Sequence, residues 1–317
     1  MNTQLKKILW WLFLFAGLIL LTDRFISTAL SFVYTKTLTG QSGGKINYYL
    51  HQSAIPDLLI MGNSRAFYEL DPDSFNISAF NIAHAGMDDC FQLGLLSILI
   101  QQHKAPSKIL LHVEPVNFLQ KDTAPFFSND ILQLKYYYGQ NSDVTNLIND
   151  LGYFEKEKYW LHSYRFNGQV ISELKNFYST LHLPSDYFSN GFEKNPVLKT
   201  DSLKTITMAG VPFNGHVYFN KSKTRYLVAL IQLALSNHIE VQCFTSPYFY
   251  KKNISYLQPE QQWIQTLMSK YQIRYIDYST NHTIPELENA SYWTDADHLN
   301  EKGAAIFSKQ VVTDFQF

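Results

Sequence analysis

The chain has 317 residues, of which 46% are apolar and 17% charged, and its net charge is −1. That length fills one sizeable core with room for an insertion, and the composition excludes a largely disordered chain. No basic stripe is present, so nucleic acid is not an expected partner. Aromatic residues are abundant, with 21 Tyr and 23 Phe, which suits a rich core or a carbohydrate-facing surface equally. Cys90 and Cys243 lie far apart without CxxC spacing. They read as two separate buried thiols, with a single disulfide as the alternative, and no zinc site is expected.

The amino terminus carries the compartment signal. Lys6 and Lys7 precede "ILWWLFLFAGLILL", an uninterrupted apolar run of 14 residues from Ile8 to Leu21. A signal-peptide core fits the length, but Thr22-Asp23-Arg24 follows in place of a small-x-small cleavage site. A buried core helix is rarely apolar all round at a chain end. An uncleaved signal anchor over residues 1–33 fits best, continuing through Phe25, Ile26, Ala29, Leu30 and Phe32, with Asp23 and Arg24 near the far interface. The lysines then stay in the cytoplasm and the remainder is exported.

Residues 34–56 read as a polar connector containing Gly40, Gly43 and Gly44. Asp57 to Met61 is a short apolar strand ending at Gly62. "AFNIA", Ala79 to Ala83, is a second strand, and Asp88 or Asp89 can cap the helix expected over 89–104. "KILLHVEP", Lys108 to Pro115, is a third strand stopped by proline. Strand, crossover, strand, helix, strand implies an α/β domain with a mainly parallel sheet, a three-layer sandwich of flavodoxin-like type spanning 57–317. Residues 120–215 lose that rhythm and read as an insertion. Regular alternation resumes with a helix at 221–236, a strand from Ile239 to Phe244, a helix at 258–270, the strand "IRYIDYS" and a terminal helix over 300–313.

"DLLIMGNSRAFYELDP", Asp57 to Pro72, places Ser64 on a strand-to-helix turn. That turn lifts a hydroxyl above the carboxyl end of a parallel sheet, where ligands bind in open α/β folds. A serine hydroxyl needs an adjacent base to act as a nucleophile. "YWTDADHLNEKGA" supplies one: Asp295 stands three residues before His298, a spacing that lets the carboxylate orient the imidazole. Taken singly, a serine after glycine is most often a turn residue and an Asp-x-x-His most often a capping pair. Together they place Ser, Asp and His after the first and last strands. The "GNSRA" pattern also touches the α/β-hydrolase elbow, but there several strands precede the serine and the acid lies far from the histidine. His84 reads as a pocket or loop histidine, because no metal-binding spacing accompanies it. Pro247 and Tyr248 follow a strand and line the same sheet end.

These residues resemble the SGNH (GDSL-like) hydrolases. "IMGNSR" at 60–65 resembles their first motif block, "NIAHAGMDD" at 81–89 the second, and "TDADHLNEKGA" at 294–304 the last. The resemblance implies Ser64 as nucleophile, His298 as base and Asp295 as its orienting acid. It makes the N–H groups of Ser64 and Gly86 oxyanion donors, each worth about 3–4 kcal/mol in comparable hydrolases. The third block departs from the family, whose Gly-x-Asn-Asp supplies an asparagine to the oxyanion hole. Here the third strand ends in "HVEPVNF", with Glu114 near the expected place and Asn117 three residues later. Asn129 in "FSND" is a further candidate, and neither asparagine is required by the pattern. Glu114 facing an oxyanion would oppose it, so substrate binding or loop holding suits it better. Arg65 either meets an anionic substrate or pairs with Asp71 or Asp73.

The Gly-Asn-Ser-Arg form, the anchor and the closing "DHLNEKGA" resemble the family's bacterial envelope proteins, those linked to D-alanylation or O-acetylation of surface polymers. The resemblance implies an esterase or acyltransferase acting on small acyl esters, exposed outside the cytoplasmic membrane. The implied partners are an acylated polymer or small ester, the membrane itself and a membrane acyltransferase; no cofactor and no metal are implied. The alternative is a catalytically weak binding or scaffold protein of the same fold.

Overall fold

The computed structural model describes residues 3–41, 43–120, 125–184, 190–197, 218–249, 254–279 and 284–317. The strands are β1 (Leu58–Met61), β2 (Ala79–Asn81), β3 (Lys108–His112), β4 (Leu119–Gln120), β5 (Tyr218–Phe219), β6 (Glu240–Thr245) and β7 (Arg274–Asp277). The α-helices are α1 (Thr3–Lys36), α2 (Gly43–His51), α3 (Ser64–Glu69), α4 (Asp89–Gln101), α5 (Ser142–Asn149), α6 (Glu155–Lys158), α7 (Val170–Thr180), α8 (Lys221–Ser236), α9 (Gln258–Lys270) and α10 (Glu301–Phe315). The chain forms two compact units, Tyr49–Asp130 with Asp186–Phe317, and Met1–Tyr48 with Ile131–Ser185.

The first of these units is a three-layer α/β sandwich around a five-stranded sheet of order β2-β1-β3-β6-β7. Every pairing in that sheet is parallel, in register Leu58↔Ala79, Leu58↔Lys108, Lys108↔Glu240 and Gln242↔Arg274. A parallel sheet is covered on both faces, which is why its strands read as continuous apolar runs rather than alternating ones. All of β1 is buried. Leu58, Ile60, Leu110 and Phe244 share a core with Ala66 and Phe67 of α3 and Phe307 and Val311 of α10. Helix α8 packs against α4 and β6. Asp88 caps α4, accepting from the N–H groups of Cys90 and Phe91. Cys90 and Cys243 are free and buried, as expected of structural thiols.

A parallel sheet gathers the carboxyl ends of its strands at one edge. The segments that follow β1, β3 and β6 therefore bring Ser64, Glu114 and Pro247 toward a common place. Asn81, at the end of β2, fixes the far end of α3: its side-chain amide donates to the carbonyls of Ala66 and Leu70 at 2.8 and 2.9 Å.

The second unit is built on α1, which packs against residues 162–166 and α7. Helix α1 is long and apolar enough to cross a membrane, and its most apolar window is wholly unburied. Its last turns are different. Tyr34 stacks on Tyr136 with ring centroids 3.9 Å apart, and just beyond the helix Thr39 donates to the Asn176 carbonyl at 2.8 Å. Asp23, just past the apolar run, is buried and accepts from the N–H groups of His162 and Ser163. Within the stretch read as a connector, α1 continues to Lys36 and α2 forms from Gly43. Of the stretch read as an insertion, residues 121–124, 185–189 and 198–215 lie outside the described residues.

Candidate functional site

The turn after β1 is dictated by contact. Gly62 has φ +142°, and a Cβ there would stand 2.6 Å from the Cβ of His112 on the adjacent strand. Only glycine combines that backbone with that approach. Asn63 then caps α3, its side chain accepting from the Arg65 N–H at 3.0 Å. Ser64 takes the first helical position, where the backbone N–H has no intrahelical acceptor. Its side chain is half-buried, one residue before a fully buried run.

The loop before α10 comes from the opposite end of the chain. Helix α10 packs against α3, which carries its N-terminal loop back across the sheet to Ser64. Asn300 caps α10 by accepting from the N–H groups of Lys302 and Gly303, and its amide donates to the Ser291 carbonyl at 2.7 Å. Gly303 permits this closeness, since a Cβ there would lie 2.3 Å from the Tyr292 carbonyl oxygen. His298 thereby stands with Nε2 2.9 Å from Ser64 Oγ. Its Nδ1 lies 3.0 Å from both carboxylate oxygens of Asp295. A carboxylate only accepts, so Nδ1 carries the proton and Nε2 is left to accept the serine hydroxyl. Asp295 is held in turn by the N–H groups of Asp297 and His298, both at 2.8 Å. The Asp295 side chain is 55% exposed and that of His298 26% exposed.

Burial alone would lower the His298 pKa. The Asp295 hydrogen bond and the charges of Glu69 and Asp295 outweigh it and hold the imidazole above its ordinary value. Burial would likewise raise Asp295, but its bond to His298 and the imidazolium charge keep it below the usual carboxylate range.

Directly behind this open trio lies a closed ionic cluster. Arg65 does not pair with Asp71 or Asp73. Helix geometry turns it inward, where its Nη1 donates to Glu114 at 3.0 Å and its Nε lies 3.7 Å from Glu69, one turn later. The guanidinium also donates to the Pro247 carbonyl and lies 4.1 Å from the ring centre of Tyr248. The Tyr248 hydroxyl donates to the second Glu114 oxygen. Arg65 and Glu114 are 3% and 4% exposed, so both are occupied with each other rather than with solvent. Burial raises Glu114, but the Arg65 charge and the other donors around it more than compensate and keep it ionised. His112, 3.6 Å from Glu114, is pushed down to about 3 by burial and is neutral.

Glu69 was not singled out in the sequence, where nothing marks a glutamate inside a short helix as buried. It is fully buried, and it accepts from the Leu299 N–H at 3.3 Å, next to His298. Burial pushes its pKa up to about 7, against the opposing pull of Arg65 and His298.

The remaining residues are not tied to the trio by hydrogen bonds. Gly86 is exposed at φ +76°, with open space where a Cβ would stand. Asn117 sits half-buried in the turn Pro115–Phe118 that follows β3. Asn129 is exposed. Among the described residues, no three His, Cys, Asp or Glu side chains are grouped to hold a metal ion.

No protein-family model and no curated protein matches the sequence. Among the solved structures that match, two are of low identity. One, from Streptococcus pneumonia, is provisionally assigned as a platelet activating factor; it is 15% identical with a TM-score of 0.41, and the match covers 100% of both chains. The other, from Bacteroides fragilis, is provisionally assigned as an acylhydrolase; it is 11% identical with a TM-score of 0.39, over 82% of this chain and 86% of that one. At these values the reading of the site rests on its own geometry.

Proposed function

We propose that the chain is a membrane-anchored, extracytoplasmic serine esterase or acyltransferase of the SGNH type. The observation that carries this reading is the line of contacts Ser64–His298–Asp295, each at hydrogen-bond distance. His298 takes the Ser64 proton as the hydroxyl attacks an ester carbonyl, Asp295 stabilises the imidazolium, and the leaving alcohol receives the proton. Water or a polymer hydroxyl then resolves the acyl-enzyme. The N–H groups of Ser64 and Gly86 receive the oxyanion, and Asn117 is the candidate for a third donor. Glu114 does not oppose that charge, because Arg65 and Tyr248 already take its two oxygens. Arg65 and Glu114 are accordingly assigned to hold the loops rather than the substrate.

The resemblance to envelope proteins favours a small acyl group, acetyl or alanyl, on a surface polymer of a bacterial cytoplasmic membrane. The apolar half of α1 supports the anchor. Ser64 and His298 beyond hydrogen-bond reach would have favoured a binding or scaffold role; their 2.9 Å contact supports chemistry instead. The test is a fluorophosphonate probe on the detergent-solubilised full chain. Labelling that disappears in Ser64→Ala is expected, and an intact wild-type chain that takes no label contradicts the reading.

A further inference from the structure

The end of the apolar run of α1 is met by a second apolar feature from the other half of the same unit. The run Ile8–Leu21 is 14 residues, about 21 Å of helix, against a hydrocarbon core of about 30 Å. Just past it comes Asp23, a costly residue at the edge of a bilayer unless its oxygens are satisfied. They are satisfied within the chain. Asp23 accepts from the N–H groups of His162 and Ser163 at 2.8 and 2.9 Å and from the Ser163 hydroxyl at 2.6 Å. Arg24 donates to the Trp160 carbonyl at 3.4 Å and pairs with Asp23. These bonds fix residues 160–163 at the level where the apolar run stops.

At that level the surface is unusually apolar. Trp160 is 70% exposed and Leu161 42%. Before them, across the single turn of α6, Tyr153 is 99% exposed and Phe154 76%. Isolated exposed apolar residues are ordinary, but here four large ones fall within the nine residues 153–161. The patch is rigidly mounted, since Tyr159 between its halves is buried and stacks on Tyr138 with centroids 3.7 Å apart. The polar residues of the segment are balanced, Glu155 and Glu157 against Lys156 and Lys158, with Lys158 paired to Glu155 at 2.5 Å. Large amphipathic aromatics beside balanced charges are the composition of a membrane–water interface.

We propose that residues 153–161 seat in the headgroup region of a lipid bilayer beside α1, so that this unit holds the membrane at two points and the short apolar run is extended by its own chain. The proposal rests on the reading of α1 as a membrane anchor and assigns the occupant as lipid, because Asp23 and Arg24, just past the apolar run, bond to residues 160, 162 and 163 of the segment that carries these side chains.

The test uses the full chain in phosphatidylcholine vesicles. An environment-sensitive fluorophore is attached at one introduced cysteine per variant: Tyr153→Cys, Trp160→Cys, Phe13→Cys within the apolar run, and Lys36→Cys at the exposed end of α1. Cys90 and Cys243 are buried and add little background. Lys36 lies about 20 Å along the helix from Asp23 and reports water. Labels at 153 and 160 are expected to emit to the blue of the label at 36 and to be quenched by brominated acyl chains, though less than at 13. Labels at 153 and 160 as wet as at 36, with 13 dry, overturn the patch and leave the anchor standing. A wet label at 13 overturns both. Labels at 153 and 160 that become dry only in native membranes contradict lipid as the occupant and assign the patch to a membrane protein.

Discussion

Ser64 and Arg65 are consecutive residues that serve opposite environments. Ser64 is half-buried and reaches a histidine whose carboxylate partner stands largely in solvent. Arg65 is enclosed with Glu114, Glu69, Tyr248 and the Pro247 carbonyl. An exposed ion pair adds about 0–1 kcal/mol to stability, because water screens it. A buried pair that loses one partner costs about 3–5 kcal/mol, because the other charge is stranded. The open trio is thus free to be shaped by chemistry, while the closed cluster holds the ends of β1, β3 and β6 in place beneath it.

That contrast predicts a clean separation of effects. Asp295→Asn should lower ester hydrolysis by about 10³–10⁴-fold, since the imidazole loses the carboxylate that holds its tautomer and stabilises its imidazolium. Its unfolding free energy should move by no more than about 0.5 kcal/mol; p-nitrophenyl acetate turnover and urea titration on the same preparation measure both. Glu114→Gln should do the reverse, lowering stability by about 3–5 kcal/mol as Arg65 loses its principal counter-charge. If Glu114→Gln leaves the urea midpoint unchanged, the cluster is not structural. Gly62→Ala comes next. Its Cβ meets His112 at φ +142°, and a loss of about 1–3 kcal/mol is expected by thermal unfolding.

The smallest effect is on pH. His298 must be neutral to act as base, and its pKa is raised, so activity is lost as pH falls through a value above the ordinary 6.5. Ionised Glu69 contributes to that rise. Glu69→Gln keeps an acceptor for Leu299 but removes the charge, so the acid limb of the pH–rate profile should move to lower pH. In the wild type, Glu69 is protonated in the fold up to about 7 but only to about 4.5 when unfolded. The stability tied to its neutral form is therefore present below about 4.5 and lost as pH rises through about 7. Glu69→Gln should flatten that part of the stability curve.

The fold was legible where periodicity and burial coincide. Four apolar residues ending at Gly62, and proline after β3, mark short buried strands by their length and by the glycine and proline that bound them. Ser64 and His298 were legible because each follows a strand at the chain's two ends, and a parallel sheet gathers those ends. Helix α2 was hidden by Gly43 and Gly44, poor helix formers that are present because Gly44 packs onto the Thr39 carbonyl. The partner of Arg65 was hidden for a related reason. Asp71 and Asp73 are near in sequence, but α3 points Arg65 at β3 and β6, and only the tertiary fold brings Glu114 there.

The central claim is that Ser64 forms a covalent acyl intermediate, and its most direct test is to trap that intermediate. The full chain is mixed briefly with p-nitrophenyl acetate, quenched in acid, digested and read by mass spectrometry. One acetyl group on Ser64 is predicted, absent in Ser64→Ala and accumulating more slowly in His298→Ala. Turnover of the ester with no acetyl on Ser64, or with acetyl equally present in Ser64→Ala, would contradict the account.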